Sequence, residues 1–386
     1  MKNASWCTLL LVAFLIISLT ASGGEIKIGM STVLSGPVQS LGKEMKLGIE
    51  TYFKKINATG GVNGNLLKLI AYDDGYEPKQ CGVNMKKLIH EDQVLAVIGN
   101  VGTPTAIVSV PIANENNTLL FGAFTGANIL RQSPPDKYII NYRASYEEET
   151  AAIVTGFLEI GLKPEEIAFF TQNDGYGDAG YQGGIKALQA SGYAEAEELA
   201  HGRYTRNTLN VEDALVTIIN ANPKGVIMVG AYKPCAKFIK MAQEFLPDTL
   251  YANVSFVGSI PLLKELGPAQ EGIIVTQVVP HFKSNLPGVI EFRDDLKTYS
   301  SNSTPGFVSL EGYLVAKIFV AGLKAAGVKP TRASIVETLE GLNNLDIGIG
   351  IQIHYSKTNH QASHQIWSTI IKNGQYITLD WAELKK

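Results

Sequence analysis

Cysteine is scarce in this sequence, with three residues among 386. Cys7 precedes an N-terminal apolar run, and the other two, Cys81 and Cys235, stand 154 positions apart. Their spacing matches neither a metal-binding motif nor a disulfide framework. The sequence leaves two alternatives open for the pair: two separate, half-buried thiols, or one disulfide formed in an oxidising compartment.

Clusters of basic residues are also missing. The chain has 33 Lys and Arg against 36 Asp and Glu, which gives a formal net charge of −3. Proteins that bind nucleic acid neutralise its phosphates with clustered cations. The sequence therefore predicts no nucleic-acid partner.

Long apolar runs are absent apart from LLLVAFLIISL near the N-terminus. This run follows Lys2 and precedes the small residues ASG, which is the pattern of a cleavable secretory signal peptide. It is short for a transmembrane helix, and a retained anchor is the alternative. We predict a signal peptide over 1–23, cleavage near Gly23 or Gly24, and a periplasmic mature chain. About 362 residues then remain, enough for two domains.

Motifs that would carry catalysis are missing as well. The sequence contains neither G-x-S-x-G nor H-E-x-x-H. His354, His360 and His364 cluster in a predicted exposed turn and lack a fourth ligand at a zinc-binding spacing. Asp73 and Asp74 are adjacent in a strand, so their side chains point to opposite faces. We predict that the protein is not an enzyme and holds neither a metal nor a cofactor.

What the sequence does contain is a regular alternation of strand-like and helix-like stretches. Apolar runs such as EIKIGMSTV, VLAVIGN, IAFFTQ and GVIMVG are typical of strands covered on both faces. The alternation forms two series that meet near Tyr142–Ala144, and it predicts an α/β fold with two doubly wound parallel-sheet lobes. VSFVG is predicted as a further strand, and AEAEELAHGRY as extended. The C-terminal segments IGIGIQIHYS, HQIWSTIIK and YITLDW are predicted as antiparallel ribbon.

One motif, the G-x-G-x-x-G of residues 175–180, has the form of a dinucleotide-binding turn between a strand and a helix. Asp174 and Asp178 flank it and would repel a pyrophosphate, and Tyr176 adds bulk between its glycines. We interpret the glycines as a tight turn that projects Tyr176, ahead of a helix beginning at Gly180.

In doubly wound sheets, ligands bind beyond the carboxyl ends of the strands. After the third strand, Gly102 and Thr103 lie where a helix begins, and such a helix end offers free N–H groups to a carboxylate. After the fourth strand, Ala123, Thr125 and Gly126 add a hydroxyl and exposed backbone. The alternative for Thr103 is an ordinary helix cap.

In the second series, Tyr176 and Tyr232 stand just past strand ends. Each has an apolar ring and a polar tip, so each is suited to covering a ligand held by the first series. The alternative is that each ring packs against its own helix.

Several of these stretches together resemble the periplasmic solute-binding proteins of the branched-chain amino acid type, which serve ATP-driven (ABC) importers. They are LSGPVQSLG, INATGGVNG, YDDGYEPKQC, VIGNVGTPTA, GAFTGANILR, YRASYEEE, NDGYGDAG, GAYKPCAKFI and SLEGYLVAKI. The resemblance runs from about Ile26 to about Ala325. It implies a type I periplasmic binding fold, with two lobes that close on the ligand about a three-strand hinge.

The resemblance also implies lobe boundaries. Lobe 1 would comprise residues 24–143 and 280–355, and lobe 2 residues 144–279 and 356–386. The crossovers would lie near Tyr142–Ala144, Val278–His281 and His354–Ser356.

By the same resemblance, Thr103, Ala123 and Thr125 hold the ligand's carboxylate and part of its ammonium. The second lobe would close over the ligand with Tyr176 and Tyr232. Two further residues complete the implied set: Tyr146 faces the cleft, and Leu41 packs against the ligand's side chain.

One departure concerns the ligand's amine. The family commonly places an acid near FVGSIP, where this chain has Ser259 and Ile260; Asp174 or Glu147 are the possible substitutes. The expected ligand is a small amino acid of the aliphatic or branched-chain class, delivered by a monomer to a membrane permease. A non-amino-acid carboxylate, an amide, and a sensor role are the alternatives.

Overall fold

Two sheets built mainly from parallel strands, each covered by helices on both faces, organise the chain. The computed structural model describes residues 23–385. The first sheet has five parallel strands in the order β2-β1-β3-β4-β5. Its strands are β1 Glu25–Thr32, β2 Leu66–Asp73, β3 Ala96–Ile98, β4 Leu119–Phe121 and β5 Ile139–Ile140.

The second sheet has seven strands in the order β14-β13-β10-β9-β8-β6-β7. Its parallel strands are β6 Ile167–Gln172, β7 His201–Tyr204, β8 Gly225–Val229, β9 Leu250–Asn253 and β10 Ile274–Gln277. Two antiparallel strands extend its edge, β13 Trp367–Lys372 and β14 Gln375–Thr378. A separate antiparallel pair consists of β11 Leu345–Asp346 and β12 Gln352–Ile353.

Eleven α-helices are present in the described part of the chain. Those packed with the first sheet are α1 Gln39–Ala58, α2 Pro78–His90, α3 Thr103–Glu115, α9 Pro287–Tyr299, α10 Phe307–Ala325 and α11 Arg332–Glu340. Those packed with the second sheet are α4 Tyr146–Glu159, α5 Gly175–Ala190, α6 Glu212–Ala221, α7 Tyr232–Ala242 and α8 Ser259–Leu266. We call the two assemblies lobe 1 and lobe 2.

The α/β fold class predicted from the alternation is confirmed, because apolar strands such as β6 are buried along their whole length. Several local predictions are wrong. VSFVG is not a strand: β9 comes just before it, and Ser255–Val257 form a 3₁₀ turn followed by the unpredicted α8. Within AEAEELAHGRY only β7 is extended, and IGIGIQIHYS contributes only the two-residue strand β12, whose partner β11 precedes it.

The helix after the G-x-G-x-x-G motif begins at Gly175, five residues before the predicted start. Asp174 caps it, with its Oδ1 accepting the Tyr176 N–H at 3.0 Å. The aspartate supplies the acceptor that a helix N-terminus needs, so the helix extends back to it. The motif is therefore the first turn of α5.

The cysteines and His360 are more deeply buried than the sequence predicts. Cys81 and Cys235 are fully buried and free, so the disulfide alternative is wrong. His360 is not exposed: it is buried, with Nδ1 2.8 Å from the Ile139 carbonyl and Nε2 3.2 Å from Glu340. Residues 23–385 contain no cluster of metal-ligating side chains.

The predicted signal peptide, residues 1–23, lies outside the described residues except for Gly23. Within residues 23–385, no helix combines the length and the apolar character needed to cross a bilayer.

Three segments of the chain lie side by side between the sheets. Backbone hydrogen bonds join Asn141 to His360 at 2.7 Å and to Ala362 at 3.1 Å. The Tyr142 hydroxyl, in the same segment, donates to the carbonyl of Val278 at 3.3 Å. These contacts tie together the chain stretches that follow β5 and β10 and precede β13. The exact lobe boundaries stay a prediction.

A buried charge cluster lies at this junction. Arg143 Nη2 donates to the Glu149 Oε1 of α4 at 3.3 Å and to the Ser255 hydroxyl, both in lobe 2. Its Nη1 lies 3.6 Å from Oε1 of Glu311, on α10 of lobe 1. Glu149 accepts further hydrogen bonds from the Ser255 N–H and the Thr276 hydroxyl. Arg143 is therefore held by lobe 2 and faces an acid of lobe 1.

Lobe 1 depends on a close crossing of α1 and α10. A Cβ on Gly48 would lie 2.0 Å from the Ser309 carbonyl oxygen, and one on Gly312 would lie 2.3 Å from the carbonyl oxygen of Met45. Only glycine lets the two backbones approach this closely.

We expect Gly48→Ala to lower the unfolding free energy by about 1–3 kcal/mol, because the added methyl forces the two helices apart. Chemical denaturation measures the change. Gly341→Ala is the matched control, since a Cβ there meets its nearest atom at 3.4 Å. Equal stability of Gly48→Ala and the wild-type protein would contradict the close crossing.

The Glu311 carboxyl makes stability depend on pH. Burial and nearby Glu149 raise its pKa, Arg143 opposes the rise, and the result is about 7 against an ordinary 4.5. As pH rises, the unfolded chain loses this proton before the folded protein does, so the folded state is destabilised between about pH 4.5 and 7. Arg131 and Tyr142 are its other titratable neighbours.

We expect Glu311→Gln to remove this pH-dependent loss of stability while leaving the Arg143–Glu149 pair intact. Between about pH 5 and pH 8, the fall in unfolding free energy should be smaller in the variant by about 2–3 kcal/mol. Denaturation across this range measures both curves. Parallel curves would show that Glu311 does not titrate there.

Candidate functional site

Two threonine hydroxyls meet where the loops after β3 and β4 come together. Thr103 Oγ1 and Thr125 Oγ1 are 2.7 Å apart, and both residues are buried. Adjacent strands of a parallel sheet end at the same edge, which brings these loops side by side. The structure thus brings together Thr103 and Thr125, which the sequence predicted as neighbours because each follows the end of a strand.

The hydroxyl pair lies at the N-terminus of α3. Gly102 is the residue before the helix, with φ of 103°, and Thr103 is the first helical residue. The helix continues through Pro104, which has no N–H, so the unbonded N–H groups of this end belong to Thr103 and Thr105. A helix N-terminus of this kind favours a negatively charged group.

Gly102 is required at its position for a second reason. A Cβ there would lie 2.2 Å from Cε2 of the Tyr76 ring. The backbone of the loop therefore runs directly against Tyr76, which follows β2 and is fully buried. The loops that follow β2, β3 and β4 of lobe 1 therefore converge here.

Ala123 and Thr125 form a narrow turn in the loop after β4. The Thr125 N–H donates to the Ala123 carbonyl at 2.9 Å, and the Thr125 Oγ1 accepts from the Ala127 N–H at 3.3 Å. Gly126 touches lobe 2, because its carbonyl accepts the Tyr146 N–H at 2.8 Å.

Tyrosines of lobe 2 cover this region. Tyr146 begins α4, Tyr176 lies in the first turn of α5, and their ring centroids are 5.0 Å apart. The hydroxyl of Tyr176 donates to the Gly230 carbonyl at 3.3 Å. The Tyr146 hydroxyl has no hydrogen-bond partner of good geometry, although Thr125 lies close enough to influence its pKa, which burial raises to about 12.

The other two predicted site residues meet across the lobes. Tyr232 begins α7, and its hydroxyl is 3.4 Å from that of Ser40 in α1. Leu41 is fully buried against Gly258 of lobe 2, where a Cβ would lie 2.5 Å from the leucine Cδ2. Leu41 and Tyr232 thus lie on opposite sides of one interlobe contact.

An aromatic cluster, which the sequence did not predict, lines the space beside the threonines. Phe256 lies at its centre: its ring centroid is 4.6 Å from that of Tyr176, 5.3 Å from Phe124 and 6.1 Å from Tyr76. Rings of both lobes therefore pack together. Phe124 was discoverable, since it stands between Ala123 and Thr125, whereas nothing in VSFVG distinguishes Phe256 from a core residue.

Two guanidinium groups border the same space. Arg131 donates to the Thr125 carbonyl at 3.5 Å and to the Ala127 carbonyl at 3.0 Å. The Arg143 guanidinium carbon is 4.7 Å from the Phe124 ring centroid and 5.8 Å from that of Tyr146. Positive charge therefore surrounds the loop that carries Thr125.

The comparisons with known proteins agree with this architecture. A family profile described as periplasmic binding protein matches residues 25–375. The Leu/Ile/Val-binding protein of Escherichia coli K12 is 23% identical over 327 residues, covering 82% of this chain and 85% of the relative. Leu/Ile/Val-binding protein homolog 3 of Brucella melitensis is 23% identical over 360 residues, covering 89% and 90%.

A solved structure extends the similarity. A possible leucine/isoleucine/valine-binding protein from Rhodopirellula baltica SH 1 is 46% identical, with a TM-score of 0.92, covering 96% of this chain and 100% of that one. These matches run through both lobes and the cleft between them. This chain therefore belongs to the periplasmic binding protein family, as its resemblance predicted, and is a solute-binding protein with the type I fold.

Proposed function

We propose that the protein captures a small organic carboxylate of amino-acid size between its lobes and delivers it to a membrane permease of an ATP-driven importer. The observation that carries the proposal is the pair of buried hydroxyls, Thr103 and Thr125, at the N-terminus of α3. Its relatives' names, Leu/Ile/Val-binding protein, suggest an aliphatic amino acid as the first ligand class to examine.

The same proposal covers location and partners. Residues 1–23 act as a signal peptide, the mature protein works in the periplasm as a monomer, and its role is binding rather than catalysis. Lobe 1 captures the carboxylate, with Ala123 and Gly102 supplying backbone beside the hydroxyls. Lobe 2 then closes with Tyr146, Tyr176 and Tyr232, and Leu41 borders the ligand's apolar part.

A thermal-shift screen of the mature protein against amino acids, aromatic and aliphatic acids and short amides tests the ligand class. A ligand at a hundred times its Kd stabilises the protein by about 2.7 kcal/mol. We expect carboxylates to raise the melting temperature and the matching neutral amides to leave it unchanged. A screen in which only uncharged compounds bind would refute carboxylate capture.

We expect Thr103→Ala and Thr125→Ala each to weaken binding of the strongest acid from that screen by about 1–3 kcal/mol, since each removes a donor to a charged group. Calorimetry measures the affinities. Thr103→Ser retains the hydroxyl and should bind normally.

Thr217→Ala serves as the control for these variants, because Thr217 bonds only the Asp213 carbonyl on an exposed face of α6. Unchanged affinity in Thr103→Ala and Thr125→Ala would place the carboxylate elsewhere.

Polar contacts of Glu77 with Arg206 and Asn207 join the two lobes at the cleft rim, and we call this group the latch. Glu77 of lobe 1 accepts from Arg206 at 2.8 Å and from Asn207 at 2.7 Å, both in lobe 2. Asn207 also donates to the Gly75 carbonyl at 3.3 Å. Opening the lobes breaks these bonds, so they favour the closed, ligand-bound form.

We expect Glu77→Gln to weaken ligand binding about two- to fivefold at low salt, the scale of a partly exposed ion pair. At about 1 M salt the difference from wild type should disappear, because screening removes the pair's attraction. Glu212→Gln is the control, since its partner Lys237 lies in the same lobe. An equal effect of both variants would rule out a role of the latch in closure.

A further inference from the structure

The carboxylates around the cleft already face protein donors, and this feature bears on the ligand's chemistry. An ammonium has only N–H donors, and when it is buried it needs acceptors, best of all a carboxylate. The place to look is the space beside Thr103 and Thr125, which Phe256, Tyr176 and Phe124 line.

The acids nearest to that space are already engaged. Asp174 accepts hydrogen bonds from the Tyr176 N–H, from Gln172 and from Arg206. Glu149 accepts from Ser255, Thr276 and Arg143. Glu149 therefore has all four acceptor positions of its carboxylate occupied, and Asp174 has three of its four occupied.

Two further acids are also accounted for. Asp74 accepts from the Ser31 hydroxyl at 2.8 Å and from the Tyr76 N–H at 2.9 Å. The unbonded Oε1 of Glu311 is 3.6 Å from the Arg143 guanidinium, so a ligand ammonium beside it would also face that positive charge. Glu147, a possible substitute by sequence, is bonded to Lys186 and Asn128 at a partly exposed site.

Two side chains beside this space carry buried hydrogen-bond donors that have no partner. The Tyr146 hydroxyl, beside Thr125, has no partner of good geometry, and Arg143 Nε and Nη1 have none. Both side chains are fully buried, and the Arg143 guanidinium also lies over the rings of Phe124 and Tyr146. Its positive charge occupies the aromatic faces that would otherwise attract a ligand cation.

We propose that the ligand is an apolar 2-oxo or 2-hydroxy acid rather than the corresponding 2-amino acid. Its carboxylate lies at Thr103 and Thr125, and the oxygen on its second carbon accepts from Tyr146. Its apolar body packs against Phe124, Tyr176 and Phe256. This inference rests on the proposed carboxylate capture and narrows its substrate class.

Matched ligand pairs test the inference on the unmodified protein. Calorimetry compares 4-methyl-2-oxopentanoate with leucine and phenylpyruvate with phenylalanine, pairs that differ at the second carbon. We expect each oxo acid to bind at least a hundredfold more tightly than its amino acid. Equal or tighter binding of the amino acid would overturn the inference and leave carboxylate capture standing. Failure of all four compounds to bind would also overturn it, and carboxylate capture would then be judged by the wider screen.

Tyr146→Phe tests the assigned donor. Its hydroxyl has no good protein partner, so its removal should leave the melting temperature of the free protein unchanged. We expect affinity for 4-methyl-2-oxopentanoate to fall about tenfold and affinity for 4-methylpentanoate, which lacks the second oxygen, to stay constant. Tyr181→Phe, on the outer face of α5, is the control. Equal losses for both acids would contradict the role given to Tyr146.

Discussion

The side-by-side ending of β3 and β4 is the constraint from which the binding site follows. The register pairs Ile98 with Phe121, so the two following loops leave the sheet at one height. Thr103 and Thr125 then meet at 2.7 Å, with the start of α3 beside them. Because a parallel sheet fixes this geometry through its backbone hydrogen bonds, the hydroxyl pair is already formed in lobe 1 and requires no contribution from lobe 2.

Lobe 2 contributes coverage and charge. Its rings, Tyr146, Tyr176 and Phe256, exclude water from the hydroxyl pair, which strengthens any hydrogen bond made there to an anion. Arg143 joins this cover to the junction between the lobes, since it is bonded to Glu149 and faces Glu311. If a ligand binds as we propose, closure of the lobes removes it from water and places a positive charge near it in one structural event.

The sequence predicted the strand ends at which the candidate residues lie. The rule that ligands bind beyond strand ends selected Thr103, Ala123, Thr125, Tyr176 and Tyr232 as candidates, because each follows an apolar strand. How they act on a ligand stays a prediction.

Long-range contacts were beyond the sequence reasoning. Tyr76 and Phe256 are ordinary aromatic residues in loops of different lobes, and only the tertiary structure makes them neighbours. The Arg143–Glu311 contact joins residues far apart in the chain, and His360 is buried by partners from distant elements. Local patterns also misplaced the start of α5, because Gly-rich sequence favours a turn while the Asp174 cap permits a helix.

We propose that Thr103 and Thr125 hold the carboxylate of the ligand, and a crystal structure of the mature protein with the tightest-binding acid would show whether they do. We expect a carboxylate oxygen about 2.7 Å from each threonine Oγ1, the usual separation for O–H donors, with Tyr176 and Phe256 against the ligand's apolar part. A carboxylate bound to other residues, with the two threonines still bonded only to each other, would contradict it.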